Sequence, residues 1–256
     1  MKTKIFIVML CTTNLMFPQV GGISGSKLCV PSFDIIPKGS VEFEPSLMIF
    51  RADNMFNNNG SLETLSGENV SSDLAFRITT GITNSLEIGA SFTTSVDQVQ
   101  VGAKYAFPFN SGGGFSLMTG VSIPAGNKFI PDSLKDRNDF YTASIGGILS
   151  IVPMESLYID GAASYTGALG SSSQNILNYG ASVGYFVTED FQPIIELSGY
   201  SNLGDKYNFA KLSLNYGMTI VITKKLLVVI GSQIDLTGKD EEKGVGYFSA
   251  FTITIN

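Results

Sequence analysis

The sequence has no histidine, no tryptophan, only two cysteines, and charged residues at 15% of its 256 positions. The missing histidine removes Ser-His-Asp triads, histidine general bases and most zinc or iron sites in one step. A barrel phospholipase of the serine–histidine kind goes with them. The chain therefore reads as a non-enzyme, with no catalytic residue, no metal site and no cofactor. Cys11 and Cys29 supply no disulfide framework. A net charge of −6 and the lack of any Lys/Arg cluster exclude the basic surface that nucleic acid requires. Nor does any apolar run approach the ~18 residues of a membrane-crossing helix. Yet the mean hydropathy is +0.22. Such a value with so few charges suits a chain whose outer face meets lipid.

What is present is alternation. Runs such as Leu86-Glu-Ile-Gly-Ala-Ser-Phe92, Val99-Gln-Val-Gly-Ala-Lys-Tyr105 and Lys211-Leu-Ser-Leu-Asn-Tyr-Gly-Met218 have a period of two. That period places one set of side chains on each face of a β-strand. The pattern predicts twelve strands, near 40–50, 72–82, 86–94, 97–107, 115–123, 139–151, 157–166, 176–186, 191–200, 207–221, 226–236 and 245–255. Short connectors follow the even strands. Longer ones follow the odd strands, notably 51–71, 124–138 and 237–244, apart from a brief break at Ser95-Val96. This rhythm predicts an all-β fold, a single twelve-stranded antiparallel transmembrane β-barrel over residues 39–256. The short turns and both termini lie on the periplasmic side.

Leu86, Ile88, Val101, Tyr105, Leu117, Leu214, Tyr216 and Phe251 fall on the predicted lipid face. Phe107, Phe109, Tyr141, Phe191 and Tyr207 stand near strand ends, where aromatic girdles form. The opposite face is polar or very small. It carries Gly89, Gly102, Gly120, Gly180, Gly184 and Ser213, and so is not expected to pack as an apolar core. Its charges are the candidate site residues. Folding the hairpins sets Glu87 opposite Lys104 with Arg77 diagonal to Glu87, and sets Glu196 near Lys211 and Lys211 near Asp235. Such mixed-sign groups either brace the wall or form a constriction that orients polar solutes. Asp240-Glu241-Glu242 reads as a solvated loop cluster.

Residues 1–25 read as a secretory signal: Lys2 and Lys4, then Ile5-Phe-Ile-Val-Met-Leu10, then Gly21, Gly22, Ser24 and Gly25. Residues 26–38 precede the first strand. Their apolar Leu28, Val30, Phe33, Ile35 and Ile36, broken by Pro31 and Pro37, make either a lumen plug or a mobile leader. These features predict the outer membrane of a Gram-negative-type bacterium, with membrane lipid and a small-molecule solute as partners. The function they imply is passive movement of small solutes. The alternative is a structural or adhesive barrel working through its outside loops.

Three consecutive stretches resemble the outer-membrane family named for the meta-pathway of phenol degradation. They are Phe76-Arg-Ile-Thr-Thr-Gly-Ile-Thr-Asn-Ser-Leu-Glu-Ile-Gly89, Val101-Gly-Ala-Lys-Tyr-Ala-Phe107 and Val121-Ser-Ile-Pro-Ala-Gly126. The resemblance implies a monomeric barrel, inserted by the barrel-assembly machinery, that admits small and often aromatic or hydrophobic compounds. The chain departs from that pattern at its end, Phe251-Thr-Ile-Thr-Ile-Asn256, which lacks a terminal aromatic residue, and at Ala125, where Thr is more frequent.

Overall fold

The computed structural model describes residues 20–25, 27–94, 98–110, 112–125, 141–169, 175–204 and 208–256. Among them, twelve antiparallel strands close into one barrel. In order they are β1 (Val41–Phe56), β2 (Leu62–Gly81), β3 (Leu86–Thr93), β4 (Gln98–Pro108), β5 (Gly113–Pro124) and β6 (Thr142–Met154). β7 (Leu157–Ala168), β8 (Asn175–Tyr185), β9 (Phe191–Asn202), β10 (Ala210–Thr223), β11 (Leu226–Lys239) and β12 (Glu241–Ile255) complete the wall. Each strand pairs with its sequence neighbours, and β12 returns to β1 through Val41↔Ile255 up to Phe56↔Glu241. Closure leaves no unpaired edge along this seam, as a strand crossing lipid requires.

The alternation expected from the sequence sets the two faces. Ile88, Val101, Leu117, Ile145 and Tyr216 are exposed on the outside, while their strand neighbours Glu87, Lys104, Ser116 and Asn215 are buried within. Leu214 points outward between Leu197 and Ile234. Replacing it with arginine would set a charge against the acyl chains, at a cost of about 2–4 kcal/mol. The expected result is a correspondingly lower unfolding midpoint for Leu214→Arg in lipid vesicles titrated with denaturant. Aromatic rings line the outside near the short turns, with Tyr105–Phe107 and Phe107–Phe115 centroids 4.9 and 6.2 Å apart. Phe109 and Tyr141 are also exposed, whereas Tyr207 lies outside the described residues.

The strands are longer than the sequence predicts on one side of the barrel. Residues 51–71 and 237–244, expected as long loops, instead continue β1, β2, β11 and β12 into two raised hairpins. The β1–β2 turn is closed by the Asn57 side-chain oxygen, which accepts from the Asn59 and Ser61 amides at 2.9 and 3.0 Å. Asp240 makes the β11–β12 turn at φ 49°, a left-handed conformation that aspartate tolerates. The physical reason for the difference is solvent. Beyond the bilayer the outer face of a hairpin meets water and not lipid, so apolar and polar residues no longer alternate there: Leu62 and Val70 are exposed, whereas Ala52 and Phe56 are buried. Asp240-Glu241-Glu242 is accordingly not a free loop cluster. Glu242 is buried and accepts from Asn69 Nδ2 at 2.8 Å, and Glu241 lies 3.9 Å from Lys211.

Candidate functional site

The lumen is occupied by the chain's own N-terminal segment. Residues 20–25 and 27–38 lie in the interior as an irregular turn-rich loop, which reaches the periplasmic end where Lys38 bridges to Gly81. Val20, Ile23, Leu28, Cys29, Val30 and Ile36 are buried there. Val20–Gly25, which the sequence places within the secretory segment, thus lie inside the barrel.

Polar side chains of the wall seat this loop. Glu87 receives the Ser24 amide at 2.7 Å, the Ser24 hydroxyl at 2.6 Å and the Ile36 amide at 3.0 Å. Lys104 sits 3.3 Å from Glu87, both side chains fully buried. Its ammonium donates to the carbonyls of Ser24 (2.9 Å), Ser32 (3.3 Å) and Asp34. Arg77 donates to Ile23 O at 2.7 Å, and Thr79 to Gly22 O at 2.7 Å. Across the lumen, Glu196 accepts the consecutive amides of Leu28, Cys29 and Val30 at 3.1, 2.6 and 3.1 Å. Lys27 pairs with Asp160 at 2.7 Å. Phe33 is held from both ends: its amide donates to Ser150 Oγ, and its carbonyl accepts from Ser116 Oγ, each at 3.1 Å.

Glycines on β3 and β4 let the plug backbone lie directly on the wall. A Cβ added to Gly102 would stand 2.2 Å from Gly21 O, and one on Gly89 would stand 2.1 Å from Gly22 O. Gly22 itself has φ +84°, which an L side chain rarely adopts. Space that the sequence suggested was open is therefore filled at these positions. Gly102→Val meets the Gly21 carbonyl oxygen first, with Val20 Cγ1 and Ile23 Cγ2 at 3.0 and 3.2 Å, so it should push Val20–Gly22 off this wall. The expected result is faster alkylation of the buried Cys29 thiol by a small maleimide, with barrel mobility on gels unchanged.

The six expected lumen charges all face inward, but their groupings differ in part from those predicted. Glu87 with Lys104 and Lys211 with Asp235 stand at 3.3 Å in each case. Arg77 does not pair with Glu87. The register sets it opposite Ser91, and its guanidinium lies 2.7 Å from Glu44 on β1. Glu196 does not reach Lys211 either. It stands opposite Asn215, four residues along β10, and turns to the plug amides instead. Lys211 packs over the Phe50 ring at 5.1 Å, with Asp235 held by Ser213 Oγ at 2.6 Å.

Sequence reasoning missed Glu44 and Asp160 as anchors. It also missed two apolar lumen clusters, Leu28 with Met48, Phe50, Ile194, Val229 and Phe248, and Val20 and Ile23 with Met118 and Ile148. The wall does not pack on itself; the plug fills the lumen and makes a packed, mixed core at its level. No group of three or more His, Cys, Asp or Glu that could hold a metal occurs among the described residues.

No protein-family model matches this sequence, and no curated protein matches it. Solved structures do share the fold. An outer membrane channel from Pseudomonas putida F1 superposes with a TM-score of 0.72 at 13% identity, covering 87% of this chain and 98% of that one. The NanC porin gives 0.57 at 12% identity, with coverage of 82% and 98%. The CymD monoaromatic hydrocarbon channel gives 0.51 at 9% identity, with 94% and 99%. The fold is that of an outer-membrane β-barrel.

Proposed function

We propose that this protein is a passive channel in the outer membrane of a Gram-negative-type cell. It moves small, apolar or aromatic solutes through a lumen that residues 20–38 close at rest. The observation that carries the reading is the way the loop is held. Hydrogen bonds and ion pairs from β2–β7 and β9 seat it, and no covalent link among the described residues ties it to the wall. A loop held this way can leave and return. The apolar arc of Met48, Phe50 and Phe248 offers the interior an apolar solute would need. The CymD channel, with the same fold, is described as a monoaromatic hydrocarbon channel, which agrees with a solute of that class. The gradient of the solute supplies the driving force.

The test is efflux from proteoliposomes carrying the full chain, loaded with polar and aromatic solutes of graded size. Flux above that of empty liposomes, falling with solute size, is expected. Flux equal to empty liposomes for every solute would leave the barrel as a surface structure working through the β1–β2 and β11–β12 hairpins.

A further inference from the structure

The hydrogen bonds that seat the plug run to β2–β7 and β9. Toward β10–β12 and β1, its contact among the described residues is apolar and centres on Leu28. There the inward positions of one register row are Ile194, Gly217, Gly231, Phe248 and Met48. Two of the five are glycine, which leaves a slot in the wall. Leu28 lies in it, so that a Cβ on Gly217 would be 2.9 Å from Leu28 Cδ2.

The rim of the slot is not apolar. One step toward the outside along β10 is Asn215, whose Nδ2 donates to Ser198 Oγ at 2.8 Å and leaves Oδ1 with no partner. One step toward the periplasm are Thr219 and, directly opposite it on β9, Gln192. Thr219 Oγ1 also has no hydrogen-bond partner, whereas the Gln192 amide is turned away from the slot toward β8, where a Cβ on Gly184 would be 2.6 Å from Nε2. The three residues are 0%, 6% and 2% exposed. Buried polar atoms are ordinarily satisfied, and two unsatisfied ones bracketing a single glycine ask for a partner the resting protein does not supply. Leu28 fills the apolar middle of the slot and can bond to neither end.

We propose that the slot over Gly217 is a solute-binding site, occupied at rest by the Leu28 side chain. Its ligand is a small apolar molecule of about one ring, bearing a hydroxyl or carbonyl. The apolar body replaces the Leu28 isobutyl group against Ile194, Val229 and Phe248. The polar group bonds to Asn215 Oδ1 as a donor, or to the Thr219 hydroxyl as an acceptor. From Asn215 to Thr219 the slot spans about 14 Å along the strand, so a one-ring molecule reaches one end at a time. Binding there displaces Leu28, and this couples solute recognition to release of the plug. The inference deepens the channel reading and rests on it.

The experiment uses the full chain refolded in detergent and fluorine NMR of two probes, 4-fluorophenol and fluorobenzene. They have nearly the same size and differ by one hydroxyl. Leu28→Ala vacates the slot and should bind 4-fluorophenol about tenfold more tightly than the natural chain. On that background, either Asn215→Leu or Thr219→Val should lose about tenfold for 4-fluorophenol, as expected for one hydrogen bond. Fluorobenzene binding should not change. A loss in either rim variant supports the site and identifies the end that holds the hydroxyl. Equal binding of both probes by every variant, or no gain from Leu28→Ala, overturns it. Gel mobility before and after heating confirms that each variant is a folded barrel. Bilayer current keeps the two readings apart. Hydroxyl-dependent binding without current rejects transport and leaves the site, whereas current without Leu28-dependent binding rejects the site alone.

Discussion

Replacing Lys104 with alanine should raise the alkylation rate of Cys29 by a hundredfold or more. Lys104 and Glu87 are both fully buried, and the ammonium also holds the carbonyls of Ser24, Ser32 and Asp34. Removing one partner of a buried, hydrogen-bonded pair costs about 3–5 kcal/mol, because the other is left uncompensated. At 1.4 kcal/mol per factor of ten, that range corresponds to roughly 10²–10³ or more in the population of the unseated plug. A pair reached by water would give only a modest effect. The plug excludes that outcome by covering the pair. Lys104→Met combined with Glu87→Gln removes both charges and should recover part of the protection. The measurement is maleimide labelling in intact vesicles, and an unchanged rate in Lys104→Ala would contradict the role given to this pair.

The second large effect is expected at Glu196. One carboxylate satisfies three successive plug amides. Glu196→Ala leaves all three buried without an acceptor, at about 1–3 kcal/mol for each group that stays dry. The cheaper outcome is for Leu28–Val30 to leave the wall and meet water. Labelling of Cys29 should then become fast while the thermal transition of the barrel stays in place. Glu196→Gln keeps one carbonyl acceptor and should fall between. A lowered barrel transition with Cys29 still protected would show that Glu196 braces the wall and does not hold the plug.

Much of this arrangement was legible in the sequence, for reasons that can be named. Along the strands that cross the bilayer, water and lipid sort side chains at every second residue, so the faces of β3, β4 and β10 follow from alternation. The Glu87–Lys104 pair follows from the short β3–β4 hairpin, whose register sets the two residues directly opposite each other. Asp235 beside Lys211 follows likewise, despite a register shift between Leu212 and Ser213. The raised hairpins were not legible, because water replaces lipid on their outer face and removes the alternation. Arg77 was misassigned because its partner, Glu44, lies directly opposite on β1, across a connection read as a 51–71 loop that sets no register.

The plug is the most instructive case. A segment of apolar residues broken by two prolines fitted a plug and a leader equally well. What decides between them is backbone: amides of Leu28–Val30, carbonyls of Ser24 and Asp34, and the bare Gly21–Gly22 stretch on Gly89 and Gly102. Every residue type supplies such groups, so no residue pattern announces them. The lumen glycines carried a signal that had two meanings. They could mark an open passage or a surface built for close approach, and at Gly89 and Gly102 they mark close approach.

The central claim is that the barrel is a channel and residues 20–38 are what closes it. Single-channel recording in planar bilayers tests it most directly, comparing the full chain with one lacking residues 20–38 and confirming both as folded barrels by heat-modifiable gel mobility. The account predicts small, infrequent current steps for the full chain and a steady current, severalfold larger, for the deletion. Equal currents from the two, or no current from either, would contradict it.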